Sequence, residues 1–286
     1  MILAMSHLKG LSGAGVRLRQ DSGRLLVRKT AANPAGNDRL KRQAMKQQAY
    51  LLRGGTLATP VLNGEGKCDC DGRFFFEMDY VSGQDGHRFL SNCSFAELKL
   101  LLDQLSGFLR STCNTPPLVQ APFSCWFDAA MNKLLEVQSR TNALPDAVLG
   151  KLFVAVGRLR NCRPQCPGFC HGDLTLENLM VDRDKKAWLV DFLDSPFEHP
   201  WQDYVKLQQD IEGGWYFRKG LRMGPAIMTY ARQWLLEIIT ELAPEYLRYA
   251  PTLAAINFTR ILPYTRTLEE RAFVVERVAH FATLAV

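Results

Sequence analysis

His171-Gly172-Asp173-Leu174-Thr175-Leu176-Glu177-Asn178 sets a histidine, an aspartate and an asparagine in the pattern HxDxxxxN, and Asp191 follows thirteen residues after Asn178. Between them lie two short apolar segments, 179–182 and 187–192, around the charged turn Asp182-Arg183-Asp184-Lys185-Lys186. That pattern predicts a β-hairpin. Folding back, the hairpin brings Asn178 and Asp191 together.

These residue types at this spacing suit phosphoryl transfer. An Asp orients or accepts the proton of an acceptor hydroxyl, while an Asn and a second Asp hold Mg²⁺ on the nucleotide phosphates. Side-chain oxygens are the ligands a hard cation takes while keeping several waters.

Outward from the motif, the elements fall into two regions. Before it, a glycine-rich turn (10–15) precedes two extended segments, 16–19 and 25–29, joined at Asp21-Ser22-Gly23. Strong helix formers fill 38–52 and stop at Gly54-Gly55. Residues 64–72, which include Cys68 and Cys70, read as an exposed turn, and 74–81 as an aromatic strand closed by Ser82-Gly83. Residues 94–109, 123–138 and 145–159 carry apolar side chains at three-to-four spacing, and 201–286 is again mainly helical. The reading is a small α+β lobe over 1–82 and a larger helical lobe over 83–286, with a hinge at about 77–83.

Composition narrows the class. The 286 residues are 47% hydrophobic and 22% charged, the balance of a globular chain with a real core. No run reaches the length of a membrane span, and no secretory leader is legible, so the expectation is a cytoplasmic protein. Cys162, Cys166 and Cys170 recur every four residues, but Pro164 and Pro167 break any helix and the spacing is not that of a zinc site. Between Arg17 and Arg53 there are ten basic and two acidic residues, a surplus larger than the chain's net +6. Without interleaved aromatic residues this block does not predict nucleic-acid binding, and about half of it reads as a solvated helix face.

With these motifs in place, the sequence resembles the eukaryotic-like kinase superfamily, in its aminoglycoside and choline phosphotransferase-like branch of bacterial small-molecule kinases. The resemblance implies an α+β, two-lobed protein-kinase-like fold with ATP and Mg²⁺ as cofactors. It makes Asp173 the catalytic base, His171 a structural residue of the catalytic loop, and Asp203 a brace of that loop. Asn178 and Asp191 become metal ligands, and Asp194 either a second-ion ligand or a cap for the next turn. Lys29, closing 25–29, becomes the lysine that grips the phosphates. Arg28 beside it is expected to be solvated. Gly13 and Gly15 would cover phosphates, and Met78, Asp79 and Val81 would receive adenine, the backbone of Asp79 and Val81 by hydrogen bonds. The family's helix glutamate is missing, since no Glu occurs between Lys29 and Glu65. Gln43 and Gln47, four apart on one helix face, are the substitutes.

Nine residues separate Asp191 from Trp201, too few for a peptide-cradling activation segment, and Thr175 stands where protein kinases carry Lys. The expected acceptor is therefore a hydroxyl of a small molecule. From His199 to Val286 ten basic residues balance nine acidic ones, which does not suit a polycationic acceptor. A sugar, polyol or envelope-glycan precursor fits better, with Trp215, Tyr216 and Trp234 as candidate platforms. The alternatives are a protein Ser/Thr kinase and an inactive nucleotide-binding scaffold. The oligomeric state is not legible.

Overall fold

A computed structural model describes residues 8–9, 13–68, 71–116, 125–162, 168–193 and 198–286. The chain forms two compact units: Met1–Gly86 with Glu177–Asp194, and His87–Leu176 with Ser195–Val286.

The first unit opens with β1 (Leu8–Lys9), β2 (Gly15–Asp21), β3 (Arg24–Thr30) and α1 (Asn37–Leu52). β4 (Leu62–Lys67) and β5 (Phe74–Asp79) complete an antiparallel sheet of order β1-β2-β3-β5-β4. The β2–β3 turn has positive φ at both Ser22 (47°) and Gly23 (82°), the pair of conformations that matches the right-handed strand twist. Phe74, Phe76 and Met78 alternate inward along β5 and pack with Ala31, Leu40 and Ala44. β4 corrects the first part of the reading of 64–72 as a turn, since 64–67 are strand, while beyond it Gly72 N–H donates to Cys68 O at 2.8 Å as in a turn. Gly64 and Gly66 have little strand propensity of their own, but both pair with β5, which supplies the hydrophobic face.

The hairpin is formed by β7 (Leu179–Asp182) and β8 (Ala187–Leu189). It gains a third strand, β6 (Gly83–Asp85), which pairs antiparallel with β7. Glycine at 83 is required, because a Cβ there would stand 2.4 Å from Val181 O. This pairing assigns the hairpin to the first unit rather than to the helical region that surrounds it in sequence.

The second unit is helical, with α2 (Gly86–Asn92) at its boundary, then α3 (Phe95–Cys113), α4 (Cys125–Thr141) and α5 (Asp146–Arg158). After the hairpin come α6 (Trp201–Ile211), α7 (Pro225–Leu242), α8 (Ala250–Thr259) and α9 (Leu268–Leu284). α3 starts at a capping box: Glu97 N–H donates to Ser94 Oγ at 3.3 Å, and Ser94 N–H to Glu97 Oε2 at 2.8 Å. Its buried Leu98, Leu101, Leu102, Leu105 and Leu109 form one stripe, each worth roughly 1.5–3 kcal/mol of burial. α6 is buried on nearly every face although six of its eleven residues carry amide or charged side chains, so most of these groups find partners inside the unit. Among the described residues, no helix is long and apolar enough to cross a membrane.

Candidate active site

In the second unit, the loop 171–176 carries Asp173 and is held by its backbone. Asp203, fully buried on α6, accepts from His171 N–H at 2.7 Å and from Gly172 N–H at 2.8 Å. Gly172 has φ +89°, a conformation that glycine adopts without strain. Two helical turns further on, Asp210 Oδ2 accepts from Leu176 N–H at 2.7 Å. Residues seven apart share a helix face, so one side of α6 presents two buried carboxylates to the loop. Asp210 was not singled out by the sequence; its position seven after Asp203 is the signal that carried it. His171 stays inside the loop, its Nδ1 accepting from Asp173 N–H at 3.3 Å.

Lys206, between those two aspartates on α6, points its ammonium at Asp173 Oδ1 from 3.0 Å. Burial pushes the Asp173 carboxyl up, but Lys206, then His171 and Arg260, outweigh it and hold the pKa below the ordinary carboxylate value. Asp173 is therefore ionised at neutral pH, as a proton acceptor must be. A depressed native pKa stabilises the fold above the unfolded value and loses that contribution as pH falls through the native one. Lys206→Met leaves burial less opposed, and the acidic limb of kcat/KM should move upward by about one unit or more. A pH–rate profile of the variant checks this; an unmoved limb would detach Lys206 from the base.

In the first unit, Lys29 is buried at the inner face of β3 and forms an ion pair with Asp191. Its Nζ also donates to Gln43 Oε1 at 2.9 Å. Gln47 does not join them. Its amide donates to Pro60 O at 2.8 Å and lies 3.7 Å from Met78 Sδ. Gln43→Leu removes one hydrogen bond to a charged group, so KM for the nucleotide should rise about tenfold, with a smaller change in kcat. Equal losses in both would place Gln43 elsewhere in the reaction.

α1 grips the segment after β8 at two more points. Lys46 Nζ donates to Leu193 O at 3.0 Å, and the Tyr50 ring packs on Phe192 at 5.3 Å between centroids. Lys46 is 3% exposed, so this member of the basic block is not solvated. Tyr50 exchanges hydrogen bonds with Leu57, and burial pushes its hydroxyl up to about 12. Arg28 is not free in solvent either. Glu77 accepts from its Nε at 2.8 Å, and its guanidinium lies 3.9 Å over the Phe75 ring. Glu77 also takes Arg19, and the two arginines hold its pKa low against the upward push of burial.

The hairpin sets Asn178 and Asp191 together. Val190 N–H donates to Asn178 O at 3.0 Å, one residue before Asp191, and β7 and β8 pair with Leu179 opposite Leu189. Asp191 itself has φ +63°, a strained conformation for a residue with a Cβ. An amide and a carboxylate here give oxygen donors suited to a magnesium ion that completes its shell with waters and phosphates. Among the described residues no cluster of three or more acidic, His or Cys side chains forms a denser metal site. Asp194 lies outside the described residues.

The remaining expectations divide. Asp79 N–H donates to Val61 O at 3.1 Å and Tyr80 N–H to Leu25 O at 3.0 Å, so of the Asp79 backbone the N–H is spent inside the sheet. Met78 is part of the core, and Val81 follows the end of β5. Gly13 has φ +78°, whereas Gly15 is the first residue of β2; the turn between Gly10 and Gly13 lies outside the described residues. Trp215 is buried against Phe217 and Phe273, and Trp234 donates to Ser106 Oγ at 2.8 Å, so both pack the helical unit.

A buried, paired lysine beside an acid at a hairpin's end, and a braced loop with an ionised Asp, are the parts of a phosphoryl-transfer enzyme. The family model described as "Phosphotransferase enzyme family" matches residues 6–249. The chain belongs to that family and is a kinase whose acceptor is an alcohol group. No curated protein matches the sequence. Among solved structures, a thermostable mutant of aminoglycoside phosphotransferase APH(4)-Ia in ternary complex with ADP and hygromycin B is similar at TM-score 0.66 and 14% identity, over 98% of this chain and 93% of that one. The GDP complex of wild-type aminoglycoside 2'-phosphotransferase-IIIa is similar at TM-score 0.66 and 15% identity, over 100% and 94%. The gentamicin–APH(2")-IIa complex is similar at 0.65 and 15%, over 97% and 90%. The fold is the kinase-like α+β fold of these enzymes.

Proposed function

We propose that this protein transfers the γ-phosphoryl group of ATP, with Mg²⁺, to a hydroxyl of a sugar, polyol or envelope-glycan precursor. The observation that carries the reading is the ionised Asp173, fixed by Lys206 on a loop whose amides are held by two buried carboxylates. Asp173 accepts the hydroxyl proton as the oxygen attacks phosphorus. Lys29, oriented by Gln43, holds the phosphates, and Asn178 and Asp191 would hold magnesium. When bound, the ion supplies charge neutralisation for the phosphoryl group in flight. Two of the similar solved structures carry ADP or GDP, which supports nucleotide use without choosing between the two purines.

The acceptor class rests on charge. The stretch from His199 to Val286 is balanced, with no acidic surplus for a polycation. An ADP-release screen over sugars, polyols, amino alcohols and aminoglycosides, with Asp191→Ala as the blank, tests the reading. Stimulation by a neutral polyhydroxylated compound, absent in the blank, is the expected result. Stimulation confined to aminoglycosides would overturn the acceptor class.

A further inference from the structure

Beside the two aspartates of α6 runs a second polar stripe. Gln202 and Gln209, each one residue earlier, are also seven apart and share a face of their own, turned by about 100° from the first. Gln209 Oε1 accepts from Asn257 Nδ2 on α8 at 2.7 Å. Gln202 and Asn257 both line a cavity of about 220 Å³ in the second unit, walled by α4, α6 and α8.

Most of the described wall is apolar: Trp126, Ala129 and Ala130 from α4, Val205 from α6, and Leu253 and Ile256 from α8. Trp126 meets the rings of His199 at 5.8 Å and Trp201 at 5.9 Å, both edge-on, so its plane is fixed before any ligand arrives. An apolar cavity of about 150 Å³ takes benzene, so this one has room for a ring with short substituents.

The two amides each keep a buried atom that no hydrogen bond satisfies. These atoms are Gln202 Nε2 and Asn257 Oδ1, on side chains 4% and 3% exposed. Asn257 Nδ2 is committed to Gln209, which leaves the oxygen to be served from the cavity the residue lines. Buried amide atoms without partners are rare in native folds, because each forfeits its hydration for nothing in return. A ligand that matches this wall brings an acceptor for Gln202 and a donor for Asn257. Hydroxyl groups supply both functions, whereas an ether supplies only the first. The two cations of the wall already have partners, Lys133 meeting Glu136 at 2.7 Å and Arg260 being engaged within the protein, so neither calls for a charged ligand.

We infer that this cavity is a binding site for a neutral compound with a ring-sized apolar body and hydroxyl groups, the body against Trp126 and the hydroxyls on Gln202 and Asn257. The site goes beyond the proposed function and does not depend on it, because its ligand is read without nucleotide or turnover.

The test is an NMR titration of the full chain, free of nucleotide and magnesium, with millimolar probes of one shape: p-xylene, 1,4-dimethoxybenzene and benzene-1,4-dimethanol. The last two are isomers that both accept hydrogen bonds, but only the diol donates. The diol should bind at least about tenfold tighter than the diether, the weight of one hydrogen bond to a buried and otherwise unsatisfied amide. Gln202→Leu should cut the diol's margin over p-xylene by about tenfold. Ala130→Leu, which fills the cavity, should weaken all three probes, and the Tm of each variant shows that it is folded. A diether that matches the diol, or a diol margin that survives Gln202→Leu, would overturn the inference. Tighter binding of benzene-1,4-dicarboxylate or 1,4-bis(aminomethyl)benzene than of the diol would also overturn it, by making the site one for charged ligands. So would the failure of every probe to bind, which would leave the two amides to water.

Discussion

Asp173→Ala is expected to lower acceptor-stimulated ADP release by about two to four orders of magnitude, the usual weight of a positioned general base. Its loop depends on backbone amides bound by Asp203 and Asp210, not on the Asp173 side chain, so the loop's conformation should survive the substitution. Lys206 loses its partner, but its side chain keeps 12% exposure and has a flexible stem with which to reach water. Nucleotide affinity should therefore change little, since Lys29, Gln43 and Asp191 belong to the other compact unit. The measurement is single-turnover transfer beside equilibrium binding of ADP. Undiminished transfer removes Asp173 from the mechanism, and a parallel collapse of binding would mean that the variant had lost its fold.

The second large effect is structural. Asp203→Ala strands the His171 and Gly172 amides in a site where Asp203 is fully buried. Two hydrogen bonds to a charged acceptor, at roughly 1.5–3 kcal/mol each, are lost together. A destabilisation of about 3–6 kcal/mol corresponds to a Tm lower by roughly 5–10 °C in a chain of this size. Activity should fall with it, because the backbone that aims Asp173 is no longer held. Calorimetry of the variant decides the matter: an unchanged Tm would show that water replaces the carboxylate and that Asp203 is no brace.

The sequence exposed the parts of the site that lie close together along the chain. HxDxxxxN and the acid thirteen residues later are local, and the two apolar segments around the charged turn between them predicted the hairpin that pairs residues 178 and 190. Gln43 was reachable because a lysine that lacks its usual glutamate must find another acceptor on the helix that follows. Lys46 and Lys206 were not reachable. Both are lysines on helices, which are solvated by default, and their partners, Leu193 and Asp173, lie far away in sequence. Gln47 failed for a geometric reason, since sharing a helix face with Gln43 does not give it the same reach. β4 and β6 were hidden because their glycines carry no strand signal; the neighbours that pair with them supply it.

The pairing of Gly83 with Asp182 sets an order of events during synthesis. The five-stranded sheet has all its strands once residue 79 has emerged, but β6 must wait for β7, with the whole of 87–176 translated in between. At about 5–20 residues per second that delay is roughly 5–20 s, during which a nascent chain displays an unmatched strand edge. A gene divided at residue 86 would yield two polypeptides, neither of which contains the complete second sheet.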